Sequence, residues 1–209
     1  MRKSKIVKKL IRTNDSVIRY ALKKDLIDRH ASDHKVRIIE ELGVHHGFAR
    51  VDVAVINGVL HGYEIKSDRD TLERLPEQMN EFNEVFNKIT LVVGKHHLYN
   101  AINLIPDWWG IVVAKIISDN SVSFNVIREA EFNKHQKGVS VAKLLWKKEA
   151  VKILEEYGEA NGYYSKPRNL VYQKLSSVLD IQTLSNKVRD TLIFRTNWRP
   201  DSLPTLNGG

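Results

Sequence analysis

A mixed-sheet α/β domain is predicted by three observations. The run ARVDVAVI alternates Val51, Val53 and Val55 with Asp52, Ala54 and Ile56, and Asn57-Gly58 follows it as a strong hairpin signal before VLHGYEIK. A helical pattern over Thr71–Asn87 comes next, long enough for a crossover between parallel strands. The apolar run Ile89–Gly94 then reads as a buried strand.

Each element has a local reason. Asn14 or Asp15 can cap a helix through Ser16–His30, where Val17, Ile18, Ala21, Leu22, Leu26 and Ile27 form an apolar stripe. Val36–Val44 fits either a short helix or a strand ending at Gly43, and the hairpin after it tips the reading to strand. Asp70-Thr71-Leu72-Glu73 has the form of a capping box, with Leu72, Leu75, Met79, Phe82, Val85 and Phe86 behind it and Pro76 placed early. His97–Leu104 reads as a short helix, Gly110–Lys115 as a strand and Ser121–Arg128 as an edge strand. Val141–Tyr157 is predicted as one helix stopping at Gly158. A further helix starts at Ser165 and Pro167 and runs to about Leu179, and the last starts at Thr183 or Ser185 and runs to about Arg195.

The expected organisation is a basic arm over 1–14, an α/β core over 15–132, a polar linker over 133–138, a helical appendage over 139–195 and a tail over 196–209. The chain has 209 residues with 33 Lys+Arg against 25 Asp+Glu, a formal net charge of +8. Residues 1–12 carry +6, residues 13–132 carry −4 and residues 133–209 carry +6. Basic ends around an acidic centre point to a polyanionic partner. The absence of cysteine excludes disulfide scaffolds, thiolate zinc sites and cysteine nucleophiles. No apolar run approaches a membrane span, and MRKSKIVKKLIRTND lacks an apolar signal-peptide core, so a cytoplasmic protein is the default expectation.

Chemistry concentrates between Asp52 and Lys66. Glu64 and Lys66 are two apart and leave one strand on the same face. A tight loop at Asn57-Gly58 would set Asp52 opposite Tyr63 and on the other face from Glu64. A three-residue loop Ile56–Gly58, or a bulge at Gly62, would bring Asp52, Glu64 and Lys66 to one face. Two carboxylates and a lysine suit Mg²⁺, a hard cation that keeps several waters, and a phosphoryl substrate. The same spacing also fits an ordinary Glu–Lys pair along a strand, worth ~0.2–1 kcal/mol.

The run Arg50-Val51-Asp52, then Tyr63-Glu64-Ile65-Lys66-Ser67, then Asp70-Thr71-Leu72 with Arg74-Leu75 and Gln78, resembles the PD-(D/E)XK nuclease superfamily. Within it the chain is similar to restriction-endonuclease-like proteins of bacteria and phages, best over Asp15–Gly94. The resemblance implies an α-β-β-β-α-β core and Mg²⁺-dependent DNA hydrolysis, with Mn²⁺ a possible substitute. Asp52, Glu64 and the Ile65 backbone carbonyl would be metal ligands and Lys66 the catalytic lysine. Gln78 resembles part of a Gln-x-x-x-Tyr element, although Phe82 stands where the Tyr would be, and Val51 replaces the family's proline. A further acid is expected at Glu41, with Glu40 the alternative.

Arg50, at the parity of Asp52, could hold a strand phosphate or pair with an acid, and Arg74 has the same ambiguity. Ser165-Lys166-Pro167-Arg168 opens a helix with two bases beside free backbone N–H groups, which suits a phosphate. DNA is therefore the expected partner, with RNA not separable by sequence, and the C-terminal helices are a candidate surface for a homodimer or protein partner. A second reading of the same residues is a catalytically silent nuclease-like DNA-binding or targeting subunit of a larger complex. His45-His46 and His96-His97 read as turn and helix-start surface, and Trp108-Trp109 as a hydrophobic plug.

Overall fold

The computed structural model describes residues 12–118 and 121–196. Most of the basic arm and nearly all of the tail lie outside the described residues.

A six-stranded mixed sheet in sequential order carries the fold. Helix α1 (Asp15–Arg29) precedes β1 (Arg37–Val44), β2 (Ala49–Ile56) and β3 (Leu60–Lys66). These three strands pair antiparallel. Helix α2 (Leu75–Asn83) then crosses to β4 (Lys88–Gly94), which runs parallel to β3. Helix α3 (Leu98–Leu104) leads to β5 (Gly110–Ser118), parallel to β4, and β6 (Ser121–Arg128) closes the far edge antiparallel. Four helices complete the described residues: α4 (Gly138–Ala142), α5 (Lys147–Glu156), α6 (Arg168–Val178) and α7 (Ile181–Phe194).

The sheet is covered on both faces. Ile18, Leu22 and Leu26 of α1, four residues apart, pack on Val53, Val55, Ile65, Val92 and Ala114. The opposite face joins α2 and all four C-terminal helices in one apolar cluster that holds Ala54, Ile56 and Leu91 together with Leu145, Leu154 and Leu192. Buried between two helical layers, β4 is a continuous apolar run rather than an alternating one. The segment 129–137 has no regular structure but is tied down. The Asn133 side chain donates to the carbonyls of Asn83 and Phe86, and the Lys137 N–H to that of Glu84.

Several expectations change in detail. Asn14 is the cap of α1, its side chain accepting the Val17 N–H at 2.9 Å, and Ile27, placed in the apolar stripe, is half exposed. The Asp70–Glu73 capping box does not open α2. Asp70 instead closes a turn by accepting the N–H and Oγ–H of Ser67 at 2.7 and 2.6 Å, and the helix starts at Leu75. Its other end stops short because Asn87 pairs with Leu60 at the start of β3 through both backbone and side chain. The single helix expected over Val141–Tyr157 breaks at 143–146, where the Glu149 carboxylate takes the Trp146 N–H at 2.7 Å and starts α5 afresh. Asp180, rather than Thr183 or Ser185, caps α7.

The hairpin is neither of the two loops expected. Ile56 pairs with Leu60, so the loop is Asn57–Val59, with Gly58 in the left-handed region at φ +90°. In that register Asp52 stands opposite Glu64. Alternation then fails one strand further out, between the pairs Glu40–Val53 and Leu42–Val51. Leu42 and Val51 join the cluster of Ala54 and Ile56, whereas Val53 faces α1. Glu41, at the break, has φ +53°.

Candidate active site

Strands β2 and β3 pair as far as Val53–Tyr63 and then part. Asp52 fills the gap: its Oδ2 accepts the Ile65 N–H at 2.6 Å, replacing a lost ladder bond. Its Oδ1 takes Arg19 Nη2 of α1 at 2.5 Å. Arg19 also pairs with Asp15, one turn earlier on α1, and with Glu41 across the fork. One guanidinium thus gathers three carboxylates. Burial pulls the Arg19 pKa down, but Asp52 and Asp15 outweigh it and leave it raised. Burial raises Asp52 above the usual carboxylate range, although the Ile65 N–H and Arg19 oppose the shift.

Glu64 and Lys66 lie on the α2 side of the same fork. Lys66 Nζ donates to Glu64 Oε1 at 2.8 Å and to Gln78 Oε1 at 2.9 Å, and Gln78 Nε2 donates to Glu64 Oε1 at 2.6 Å. The triangle fixes all three side chains. Glu64 is 2% exposed, and its second oxygen, Oε2, is buried without a hydrogen-bond partner among the described residues. Burial, reinforced by the charge of Asp52 and opposed by Lys66 and Gln78, pushes Glu64 up to about 7. A buried carboxylate with one oxygen unbonded is costly unless a proton or cation completes it.

The predicted residues therefore divide between two networks. Asp52, Glu64 and Lys66 share one fork, and Gln78 joins them by direct hydrogen bonds. Glu41 is drawn to Arg19 and Glu40 to Lys23. Among the described residues, no three His, Cys, Asp or Glu side chains form a group that could hold a metal ion. The predicted position of Glu41 as an extra ligand is thus not assembled, because the left-handed backbone at this residue turns it to the guanidinium. Phe82, at the place of the expected Tyr, is fully buried in the core.

Arg50 and Arg168, distant in sequence, line one cavity, while Arg74 and Lys166 are exposed outside it. Trp109 is the plug expected, fully buried with its indole N–H on Asn83. The residues missed by sequence reasoning are Arg19 and Asp15. Their signal was an i,i+4 acid–base pair on α1 immediately beside the buried stripe.

The family described as Bacteriophage P4 protein cII matches residues 12–203. The chain belongs to that family. One of its relatives, Protein cII of Enterobacteria phage P4, is 28% identical over 156 residues, 75% of this chain and 56% of the relative. The chain thus matches little more than half the length of that cII protein. A solved structure, the SPO1766 protein of unknown function from Silicibacter pomeroyi, covers 68% of this chain and 92% of its own at 20% identity with a TM-score of 0.38. Within the cII-like region matched, the fork and all four C-terminal helices are included. Among the described residues no helix is long and apolar enough to cross a membrane.

Proposed function

We propose that this cII-family chain is a divalent-metal-dependent DNA nuclease with a restriction-endonuclease-like core. The order α1-β1-β2-β3-α2-β4, antiparallel and then parallel, supports that reading. The observation that carries it is Glu64: buried, held by Lys66 and Gln78, and left with one oxygen unbonded beside the Asp52 charge.

That orphaned oxygen is the test of fit for Mg²⁺. Because Mg²⁺ commonly binds through one or two carboxylates and keeps its remaining waters, Asp52 and Glu64 suffice without a third acid. The Ile65 carbonyl is the third protein oxygen that the resemblance implies. The cation, when bound, would polarise a phosphoryl oxygen and acidify a bound water. Lys66, with its ammonium held by Glu64 and Gln78, would orient the attacking water and offset charge on the pentavalent phosphorus. Gln78 keeps that ammonium in place. In the hydrolysis the water oxygen, giving up a proton to solvent, would form the new P–O bond as the bond to the leaving sugar oxygen breaks, and the leaving oxygen would take a proton from solvent.

The test is incubation of supercoiled, linear and single-stranded DNA with the protein in Mg²⁺ or Mn²⁺, beside Lys66→Ala. Metal-dependent cleavage lost in the variant is expected. Cleavage that survives the substitution would overturn the site. One observation favours a silent, DNA-binding role instead: Arg19 already neutralises Asp52. Binding without cleavage on every substrate would select that reading.

A further inference from the structure

The break between α4 and α5 opens a cavity of about 1070 Å³ between the ends of β1 and β2 and the C-terminal helices. Arg50, Lys143, Lys147, Lys148, Arg168 and Arg195 line it against two acids, Glu40 and Glu41. Arg195 is satisfied by Glu149 and the Leu144 carbonyl, and Lys147 by the Tyr164 carbonyl. The side chains of Arg50, Lys143, Lys148 and Arg168 make no hydrogen bond or ion pair with any other described residue; Lys148 only lies over the Trp146 ring at 5.1 Å. Four uncompensated cations from β2, the α4–α5 break, α5 and α6 converge on one concavity. Like charges gathered this way are unfavourable without an anion between them.

The two acids are not counter-ions for those cations. Glu40 is paired with Lys23 and Glu41 with Arg19. Glu41 nevertheless joins the two regions: it lines the cavity and shares Arg19 with Asp52, so the basic cleft and the fork have a common wall. On the rim, the His46 ring lies tilted against Tyr172, 5.7 Å between centroids, and burial together with the charges of Arg168 and Lys143 keeps its imidazole neutral to lower pH than usual.

We propose that this cleft binds the phosphodiester backbone of a nucleic-acid strand and leads it to the fork. The direction of travel rests on the nuclease reading; the binding does not. The shared chemistry is a row of phosphates, presented by a single strand or by one strand of a duplex. The cations come from separate elements rather than one helix face, so each can meet a different phosphate and release its counterions.

The experiment is fluorescence anisotropy of the full chain with a labelled single-stranded oligonucleotide and with its duplex, across about 50 to 200 mM salt. The proteins compared are wild type, Lys143→Gln/Arg168→Gln, Arg50→Gln, and Lys152→Gln as an exposed control on α5 outside the cleft. The double variant is expected to bind at least about tenfold more weakly, with a salt slope shallower by about 2. Arg50→Gln should shift both in the same direction by about half as much, and serves if the double variant fails to fold. Lys152→Gln should bind as wild type. Whichever probe shows the larger loss names the strand form taken. Unchanged affinity and slope in the cleft variants, or no binding of either probe by wild type, would overturn the proposal. Binding lost in the cleft variants with no cleavage by wild type would sustain the cleft and remove the nuclease reading.

Discussion

Arg19 Nη2 lies 2.5 Å from Asp52 Oδ1, while the other Asp52 oxygen caps the Ile65 N–H at 2.6 Å. The pair links α1 to the point where β2 and β3 separate. It also places a fixed positive charge where the proposed cation would have to approach. Arg19 is held in turn by Asp15 and Glu41, so its position is set by three acids rather than one.

Replacing Arg19 by Gln is therefore expected to act in two directions at once. Loss of the guanidinium should tighten Mn²⁺ binding several-fold in a calorimetric titration, because Asp52 no longer shares its charge. The same change should lower stability by ~1–3 kcal/mol in urea, since three carboxylates lose their common partner. Weaker Mn²⁺ binding in the variant would instead make Arg19 a positioning residue for Asp52.

Glu64 sets a pH signature. Its pKa is raised from an ordinary 4.5 to about 7 in the fold. Between those values the folded chain keeps a proton that the unfolded chain has lost, so this group makes stability fall as pH rises from 4.5 to 7. Glu64→Gln should remove that fall. Urea midpoints of wild type and variant, compared at pH 5 and pH 8, should diverge in favour of the variant at the higher pH. A parallel pH dependence of the two proteins would contradict the raised pKa.

His61 acts in the opposite sense. Burial, with the Lys88 and His30 charges behind it, depresses its pKa from 6.5 to about 3. The ring is stacked on Tyr63 at 4.3 Å and hydrogen-bonded to Thr90 at 2.9 Å. As pH falls from 6.5 towards 3, the unfolded chain takes up a proton that the fold refuses, and stability is lost. His61→Gln should flatten that acid limb in thermal melts at pH 4 and pH 6.5. Because the Glu64 and His61 windows overlap with opposite slopes, each is read from its own variant-minus-wild-type difference.

The two halves of the site were unequally legible. Glu64 and Lys66 share a face by strand parity alone, but the face of Asp52 depends on the hairpin loop, and Gln78 is marked only by the family resemblance. The network around Arg19 could not be read from sequence. It depends on the lapse of alternation at Glu41 and Asp52, and a positive φ at a glutamate has no sequence signal comparable to Asn-Gly. The sheet itself was readable from apolar runs, since a strand buried on both faces leaves few alternatives. The true ends of α2 were hidden because Asp70 and Asn87, both good capping residues, bond to Ser67 and Leu60 instead. The cleft was hidden for a related reason: the sequence predicts one helix over Val141–Tyr157, and the Glu149 cap that splits it turns Lys143, Lys147 and Lys148 into the cavity lining.

Gly94 provides a test of how the fork is anchored from its far side. Asp68, just past Lys66, accepts the N–H and Oγ–H of Thr13, both at 2.9 Å, and the His96 N–H at 3.1 Å. It thereby ties the lead-in to α1 to the ends of β3 and β4, and those hydrogen bonds, outweighing burial, hold its pKa at about 2. A Cβ on Gly94 would fall 2.4 Å from Asp68 Oδ1 and 2.6 Å from the Asp68 backbone N. The backbone atom cannot step aside as a flexible side-chain end could. Gly94→Ala is therefore expected to destabilise the chain by ~1–3 kcal/mol in urea. It should also accelerate amide exchange at Thr13 and His96, whose N–H groups depend on Asp68, before that of the β4 core. A variant with wild-type stability and unchanged protection at both amides would show that Asp68 does not hold these segments together.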